Sequence, residues 1–315
     1  IVRAMGAENS IQQVHDQLVI HTERSRAVWP LPEPFCTFHY REFCRQAFAR
    51  TQAAFLQATV LGRVVHSPFT IHHSRYSVVR TSFGDVEGRF LIDATGWRAV
   101  LAGGPASCYV NRRWMAFGIE TEIEREFEPG LHFYFLPEVR DGYAWAFPCD
   151  GGVRFGVLSY LGRSNLRAAL AGFLERFGAQ IGDIHGGFLA SGLRSPVVDG
   201  VFVIGDAAGQ CLPVTGEGIR TAVLAGFTCG DLIQQVLEGR LSLEEATAGY
   251  SRFAVRERRR FRTLLWANLG VMLLTQRLVG HTARLLSRPG SLQFFLRPYL
   301  SIFRKPPLTD AVAAC

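Results

Sequence analysis

No C-x-x-C pair, no G-x-S-x-G elbow and no G-x-G-x-x-G fingerprint occurs anywhere in these 315 residues. The first absence argues against a zinc ribbon or a dithiol redox centre. The second removes the strained nucleophile turn of a serine hydrolase. The seven cysteines are odd in number, so a complete disulfide framework is excluded and reduced cytosolic thiols are expected. No His/Cys/Asp/Glu group shows ligand spacing, and no metal is expected. His72 and His73 are neighbours that a strand would point to opposite faces, which suits no shared ion. No uncharged apolar run reaches the roughly 18 residues of a spanning helix, and no signal-peptide pattern is visible. Internal repeats and low-complexity tracts are also missing.

What remains is an apolar, basic chain. Hydrophobic residues make up 48% and charged residues 19%, enough for a sizeable core, and the length allows two domains. The net charge of +7 favours an anionic partner such as a lipid surface or a phosphorylated substrate. No nucleic-acid module accompanies the charge, and no nucleic-acid partner is expected.

Along the chain, residues 1–10 read as a helix end and residues 17–22 as a strand. Pro30, Pro32 and Pro34 impose an extended connection. Residues 40–57 show helical spacing, and residues 60–66, 76–81 and 85–92 read as three strands. Four strand-like runs divided by turn residues fill 115–121, 131–136, 143–148 and 153–158, with a helix over 167–177. After residue 242 the chain is helical: Ser242 and Glu245 have capping-box spacing. A cluster of Arg252, Arg256, Arg258, Arg259, Arg260 and Arg262 follows. Further on, Leu292, Phe294, Phe295, Tyr299 and Phe303 alternate with Arg297, Arg304 and Lys305, a mixture that suits a membrane surface as well as a packed helix.

The most informative stretch is Val201-Phe202-Val203-Ile204-Gly205-Asp206-Ala207-Ala208-Gly209, followed by Pro213-Val214-Thr215-Gly216-Glu217-Gly218-Ile219. Four β-branched or aromatic residues predict a strand buried on both faces. An acid at its end needs a polar partner. Small residues let a ligand reach the backbone, and a helix start after Gly216 offers N–H groups and positive dipole to an anionic group. A second strand, Phe90-Leu91-Ile92-Asp93, ends in Ala94-Thr95-Gly96. In a third, Tyr143, Trp145 and Phe147 alternate with alanines ahead of Pro148, which puts three aromatics on one face of a strand. A sheet face packed on its own core would show the same alternation.

These three segments resemble the FAD-dependent geranylgeranyl reductase-like family, within the group of aromatic hydroxylases, halogenases and lycopene cyclases. The resemblance implies FAD as cofactor, with Asp206 on a ribityl hydroxyl and the helix N-terminus at the pyrimidine edge of the flavin. Cofactor contacts carried over are Thr95, Gly96, Gly205, Asp206, Ala207, Pro213, Gly216, Glu217, Gly218 and Ile219. Tyr143, Trp145, Phe147 and Pro148 match the Y-x-W-x-F-P motif that lines the isoprenoid cavity of these reductases. Gly156 fits the glycines that follow, whereas Leu158 departs from them. Tyr40 or Arg41 falls where relatives place an FAD-contacting arginine, and Cys211 lies in the loop after Asp206, where a buried, inert thiol is expected. No catalytic residue is assigned.

The family opens with the G-x-G-x-x-G that this chain does not contain, so an N-terminally truncated fragment is expected. The implied fold is α/β: an incomplete FAD-binding Rossmann-like domain (residues 1–102 and 188–240), an inserted antiparallel β substrate domain (103–187) and a helical C-terminal region (241–315). Parts of 14–35 are expected to pack on the substrate domain. The implied activity is FAD-dependent reduction of C=C bonds in a long isoprenoid, with NAD(P)H or ferredoxin as electron donor. A cytoplasmic location is expected, with peripheral membrane contact. The alternatives are an FAD monooxygenase or halogenase, a lycopene-cyclase-like non-redox flavoprotein, and a lipid-binding fragment without turnover.

Overall fold

A computed structural model of the chain describes residues 1–64, 77–103, 108–112, 115–273, 276–287 and 291–303. His72, His73, Arg304 and Lys305 fall outside them. In chain order the strands are β1 (Ile11–Thr22), β2 (Ser25–Phe38), β3 (Val60–Val64), β4 (Ser77–Thr81), β5 (Gly84–Gly88), β6 (Ile92–Asp93) and β7 (Met115–Ile123). They continue with β8 (Leu131–Phe135), β9 (Gly142–Cys149), β10 (Gly152–Ser159), β11 (His185–Ala190), β12 (Val197–Val198) and β13 (Val201–Val203). The helices are α1 (Tyr40–Ala49), α2 (Val100–Gly103), α3 (Leu166–Glu175), α4 (Ile219–Leu237), α5 (Leu243–Arg256), α6 (Arg258–Leu273), α7 (Gln276–Leu286) and α8 (Ser291–Leu300).

The chain divides into two compact units. The first comprises Ile1–Ala54, Met115–Phe188 and Ala267–Leu300. Its sheet has the order β11-β7-β10-β9-β8-β1-β2. The hairpins β9–β10 and β1–β2 and the pair β7–β10 are antiparallel, whereas β1 and β8 run parallel, with Val19 opposite His132 and His21 opposite Tyr134. On one face Ala144, Ala146, Val153, Phe155 and Val157 pack against Leu170, Phe173 and Leu174 of α3. Each large apolar side chain buried there contributes roughly 1.5–3 kcal/mol. The prolines at 30, 32 and 34 sit within β2 rather than in a connection. An edge strand tolerates them because its outer N–H groups have no partner to lose.

The second unit comprises Phe55–Trp114, Leu189–Trp266 and the described part of Ser301–Cys315. A small sheet, β12-β13-β6, pairs β13 antiparallel to β12 and parallel to β6. A separate antiparallel sheet has the order β3-β4-β5. Phe202 packs with Cys229, Val236, Ala246 and Tyr250 of α4 and α5, and the Tyr250 hydroxyl donates to the Val203 carbonyl at 2.8 Å.

Several expectations change. The first 54 residues lie in the unit of the large sheet rather than with the cofactor motifs, because β1 and β2 extend that sheet beside β8. Residues 1–10 form two short 3-10 turns, and α1 stops at Ala49. The single strand expected over 85–92 is two: the chain bends at Arg89 and Phe90, so β5 pairs with β4 while β6 pairs with β13. At the start of α5 the capping box is complete, with both reciprocal hydrogen bonds formed. The basic cluster at the α5–α6 junction is interrupted by Glu257. This carboxylate is 1% exposed, and it pairs with Arg256 at 3.2 Å and Arg260 at 3.0 Å. Among the described residues no helix is long and apolar enough to cross a membrane.

Candidate cofactor site

Pairing of β6 with β13 sets Ile92 opposite Phe202 and Asp93 opposite Val203. The two motif turns therefore leave the carboxyl ends of adjacent parallel strands, the position at which open α/β sheets bind ligands. Asp93 organises the first turn from a fully buried position. Its Oδ1 accepts hydrogen bonds from Thr95 N (3.0 Å) and Thr95 Oγ1 (2.6 Å). Its Oδ2 accepts from Leu101 N (2.9 Å) and Ala102 N (2.8 Å) at the start of α2. The Thr95 hydroxyl also accepts from Val100 N at 2.8 Å. Thr95 thus spends its side chain inside the turn and leaves backbone for a ligand. Gly96 adopts φ +73°, and a Cβ placed there would meet nothing within 4 Å, so the turn is open at this point.

The second turn, Gly205–Ala208, is a single 3-10 turn closed by Gly209 at φ +66°. A Cβ on Gly209 would lie 2.1 Å from the Gly192 carbonyl oxygen, so only glycine fits. Asp206 follows at the strand end. Burial pushes its carboxyl up to about 6, against the backbone N–H of Ala190 and the charge of Arg194. The loop 209–218 folds back on itself through Leu212 N to Glu217 O (2.8 Å) and Gly216 N to Leu212 O (3.1 Å). Helix α4 starts at Ile219, three residues later than the sequence suggests, with Gly218 as its N-cap. A Cβ on Gly218 would come within 3.4 Å of Asp206 Oδ1, which places the carboxylate beside the positive end of α4. Glu217 is engaged by Arg220 through Nε at 2.6 Å and a second nitrogen at 3.1 Å, so its carboxylate is held within the helix start. Pro213 is buried, and Ile219 is exposed at the first turn. Cys211 is fully buried, and burial raises its thiol far above the ordinary cysteine range, as expected of an inert thiol.

Arg194 escaped the sequence reading. Its guanidinium donates to the carbonyls of Trp97 (3.1 Å), Asp206 (3.3 Å) and Ala207 (3.0 Å), tying the first turn to the second. No local pattern marks it, because all three acceptors are backbone atoms of distant segments. The buried acid Asp93 did have a signal, a carboxylate at the end of an apolar strand.

The residues fit a flavin dinucleotide. Two small-residue turns lie side by side, a carboxylate sits at a helix N-terminus, and the backbone at Gly96 is unobstructed.

The expected substrate residues lie in the first unit. Tyr143, Trp145 and Phe147 share one face of β9, with neighbouring ring centroids 6.1 Å apart. Phe133 of β8 joins them, 5.4 Å from Tyr143 and 5.2 Å from Phe147. Pro148 belongs to the opposite face with Ala144 and Ala146, so the structure separates it from the aromatic row. Pairing of β9 with β8 ends at Ala146, while pairing with β10 continues to Cys149. Tyr40 and Arg41 open α1, also in this unit.

Gly156 stands opposite Trp145 in the ladder, and a Cβ on it would fall 2.0 Å from the indole. Gly156→Ala must therefore eject the Trp145 ring. The expected loss is at least the ~1–3 kcal/mol of an overpacked core. A changed tryptophan emission spectrum together with a lower urea midpoint would report it; an unchanged spectrum would contradict the packing described.

The fold is one that solved structures of a geranylgeranyl reductase-like protein and of flavin-dependent halogenases also show. It superimposes on a geranylgeranyl bacteriochlorophyll reductase-like protein from Thermoplasma acidophilum with a TM-score of 0.74 at 17% identity, covering 96% of this chain and 82% of that one. A flavin-dependent brominase follows at 0.66 and 14% identity, with 94% and 80% covered. In sequence the chain is similar to the digeranylgeranylglycerophospholipid reductase of T. acidophilum, 25% identical over 169 residues, or 49% of this chain and 43% of the reductase. The match thus spans less than half of that curated relative. No protein-family model matches.

Proposed function

We propose that this chain forms part of an FAD-dependent reductase that saturates C=C bonds in the isoprenoid chains of a lipid. The observation that supports it is the parallel pairing of β6 and β13, which sets Asp93-Ala94-Thr95-Gly96 beside Gly205-Asp206-Ala207. FAD bound there and reduced by the electron donor would supply a hydride to the unpolarised double bond, and a proton completes the addition. Asp206 accepts a hydrogen bond from a ribityl hydroxyl, and the N-terminus of α4 favours negative charge on the flavin. Arg194 keeps the two turns in register. Tyr143, Trp145, Phe147 and Phe133 offer an apolar, rigid surface of the kind that orders an isoprenoid. The sequence similarity to digeranylgeranylglycerophospholipid reductases favours a geranylgeranylated glycerophospholipid as substrate. The electron donor is NAD(P)H or a ferredoxin. Substrates of this kind reside in membranes, and the net charge of +7 suits peripheral contact with anionic headgroups from the cytoplasmic side.

The test is anaerobic incubation with FAD, dithionite and a digeranylgeranyl glycerophospholipid, followed by mass spectrometry of the lipid. A gain of two hydrogens per reduced bond is expected. Lipid that is unchanged, with product appearing only when oxygen and NAD(P)H are supplied with an aromatic acceptor, would move the assignment to the monooxygenases and halogenases.

A further inference from the structure

Within the first unit, one group of side chains takes no part in the proposed reductase. His21 lies one residue before the end of β1, His132 lies on the parallel neighbour β8, and Glu128 precedes the start of β8 by three residues. His21 Nε2 lies 3.0 Å from His132 Nδ1, and Glu128 Oε1 lies 3.8 Å from that same Nδ1. One ligand atom from each residue falls within 4.8 Å of the other two. We propose that His21, His132 and Glu128 form a binding site for a divalent cation of the zinc class, with at least one coordination position left open.

Geometry carries the assignment. An ion centred in a triangle with edges of 3.0, 3.8 and at most 4.8 Å lies within about 2.4 Å of every corner. Zinc bonds to nitrogen and oxygen are about 2.0–2.2 Å, so a shift of a few tenths of an ångström closes the shell. The orientation of the buried ring is fixed as a ligand's would be. His132 Nε2 faces the carbonyls of Glu128 (3.2 Å) and Pro129 (3.3 Å), so the ring proton sits there and the Nδ1 lone pair points into the cluster. A ligating histidine characteristically gives its other N–H to such a carbonyl. Arg26 holds Glu128 through Oε2 and leaves Oε1, the oxygen nearer His132, for an ion. Tyr134 stacks on His21 at 4.2 Å and 5°, and Phe127 meets His132 edge-on at 5.1 Å. Both rings are thereby held in place, which lowers the ordering cost of coordination.

Residue spacing does not reveal the cluster, because His21 and His132 are 111 residues apart and meet through the parallel β1–β8 pairing. The ligand set, two imidazoles and a carboxylate, is that of a three-ligand zinc site with room for water or a substrate oxygen. By the usual order of divalent affinities, cobalt and nickel would enter as well.

Chelator-treated chain is titrated with Zn²⁺, and separately with Co²⁺ while visible absorption is recorded. The expected result is saturation at one equivalent, the visible bands of low-coordinate cobalt, and a zinc-dependent rise in Tm. His21→Gln and Glu128→Gln should each weaken binding by at least the ~10–100-fold that loss of a merely supporting group costs. His132→Ala is avoided, since that side chain is fully buried. Far-UV circular dichroism of both variants confirms that they fold. Absence of saturable binding, or equal affinity in the folded variants, would overturn the proposal.

Discussion

Asp206→Asn is expected to raise the thermal stability of the flavin-free chain and to weaken its hold on FAD. Burial lifts the Asp206 carboxyl from the ordinary 3.8 to about 6, so the folded state keeps a proton that the unfolded state has already released. Stability contributed by this group is full below about pH 4 and is lost as pH rises to about 6, where the native carboxylate finally ionises. Above that window the folded chain carries the whole penalty, of order 3 kcal/mol at ~1.4 kcal/mol per pKa unit. Asparagine carries no such charge, so the variant should lose the decline between pH 4 and 6 and melt higher at pH 7. Flavin binding should move the other way. A hydrogen bond to a charged acceptor is worth about 1.5–3 kcal/mol, and its loss corresponds to roughly 10–150-fold in affinity. Melting curves across this pH range, paired with FAD fluorescence titration, read both effects. A variant that melts lower at pH 7, or binds FAD as tightly, contradicts the role given to Asp206.

The second large effect is expected at Asp93. Its carboxylate is 0% exposed and receives four hydrogen bonds from Thr95, Leu101 and Ala102. Asp93→Ala leaves the buried N–H groups of Leu101 and Ala102 and the half-buried N–H of Thr95 without an acceptor, and frees the turn that holds Gly96. A loss of about 3–5 kcal/mol is expected, at the severe end for a single substitution. Asp93→Asn keeps one acceptor oxygen and should cost less. Urea denaturation with an unchanged m-value would assign the loss to stability rather than to a changed unfolded state. A shift in Asp93→Ala below about 1 kcal/mol would mean that the turn closes without its carboxylate.

Local signals were legible in the sequence. The apolar run 201–204 followed by Gly205-Asp206 became a buried strand and a tight turn, because both depend on neighbours within a few residues. The capping box at Ser242 and Glu245 and the alternation at Tyr143, Trp145 and Phe147 were readable for the same reason. Pairings across long stretches of chain were not. Nothing near residues 11–38 announces that β1 lies parallel to β8, and this pairing moves the first 54 residues into the other unit. Nor does any pattern link Arg194 to the carbonyls of Trp97 and Asp206. The prolines of β2 misled because proline opposes pairing in general and is tolerated at a sheet edge. Within the candidate site, Asp206, Gly205, Gly216 and Gly218 lie on one turn-and-helix-start segment. The Thr95 hydroxyl is bonded within its own turn, and Pro148 lies on the opposite face of β9 from the aromatic row, neither of which the motifs reveal.

The central claim is that the Asp206 carboxylate, between the Gly205 turn and the start of α4, holds the ribityl chain of FAD. Its most direct test is a crystal structure of the chain soaked with FAD. The account predicts a ribityl hydroxyl within hydrogen-bond distance of Asp206 and the isoalloxazine at the N-terminus of α4. Flavin bound with its ribityl chain away from Asp206 would contradict it.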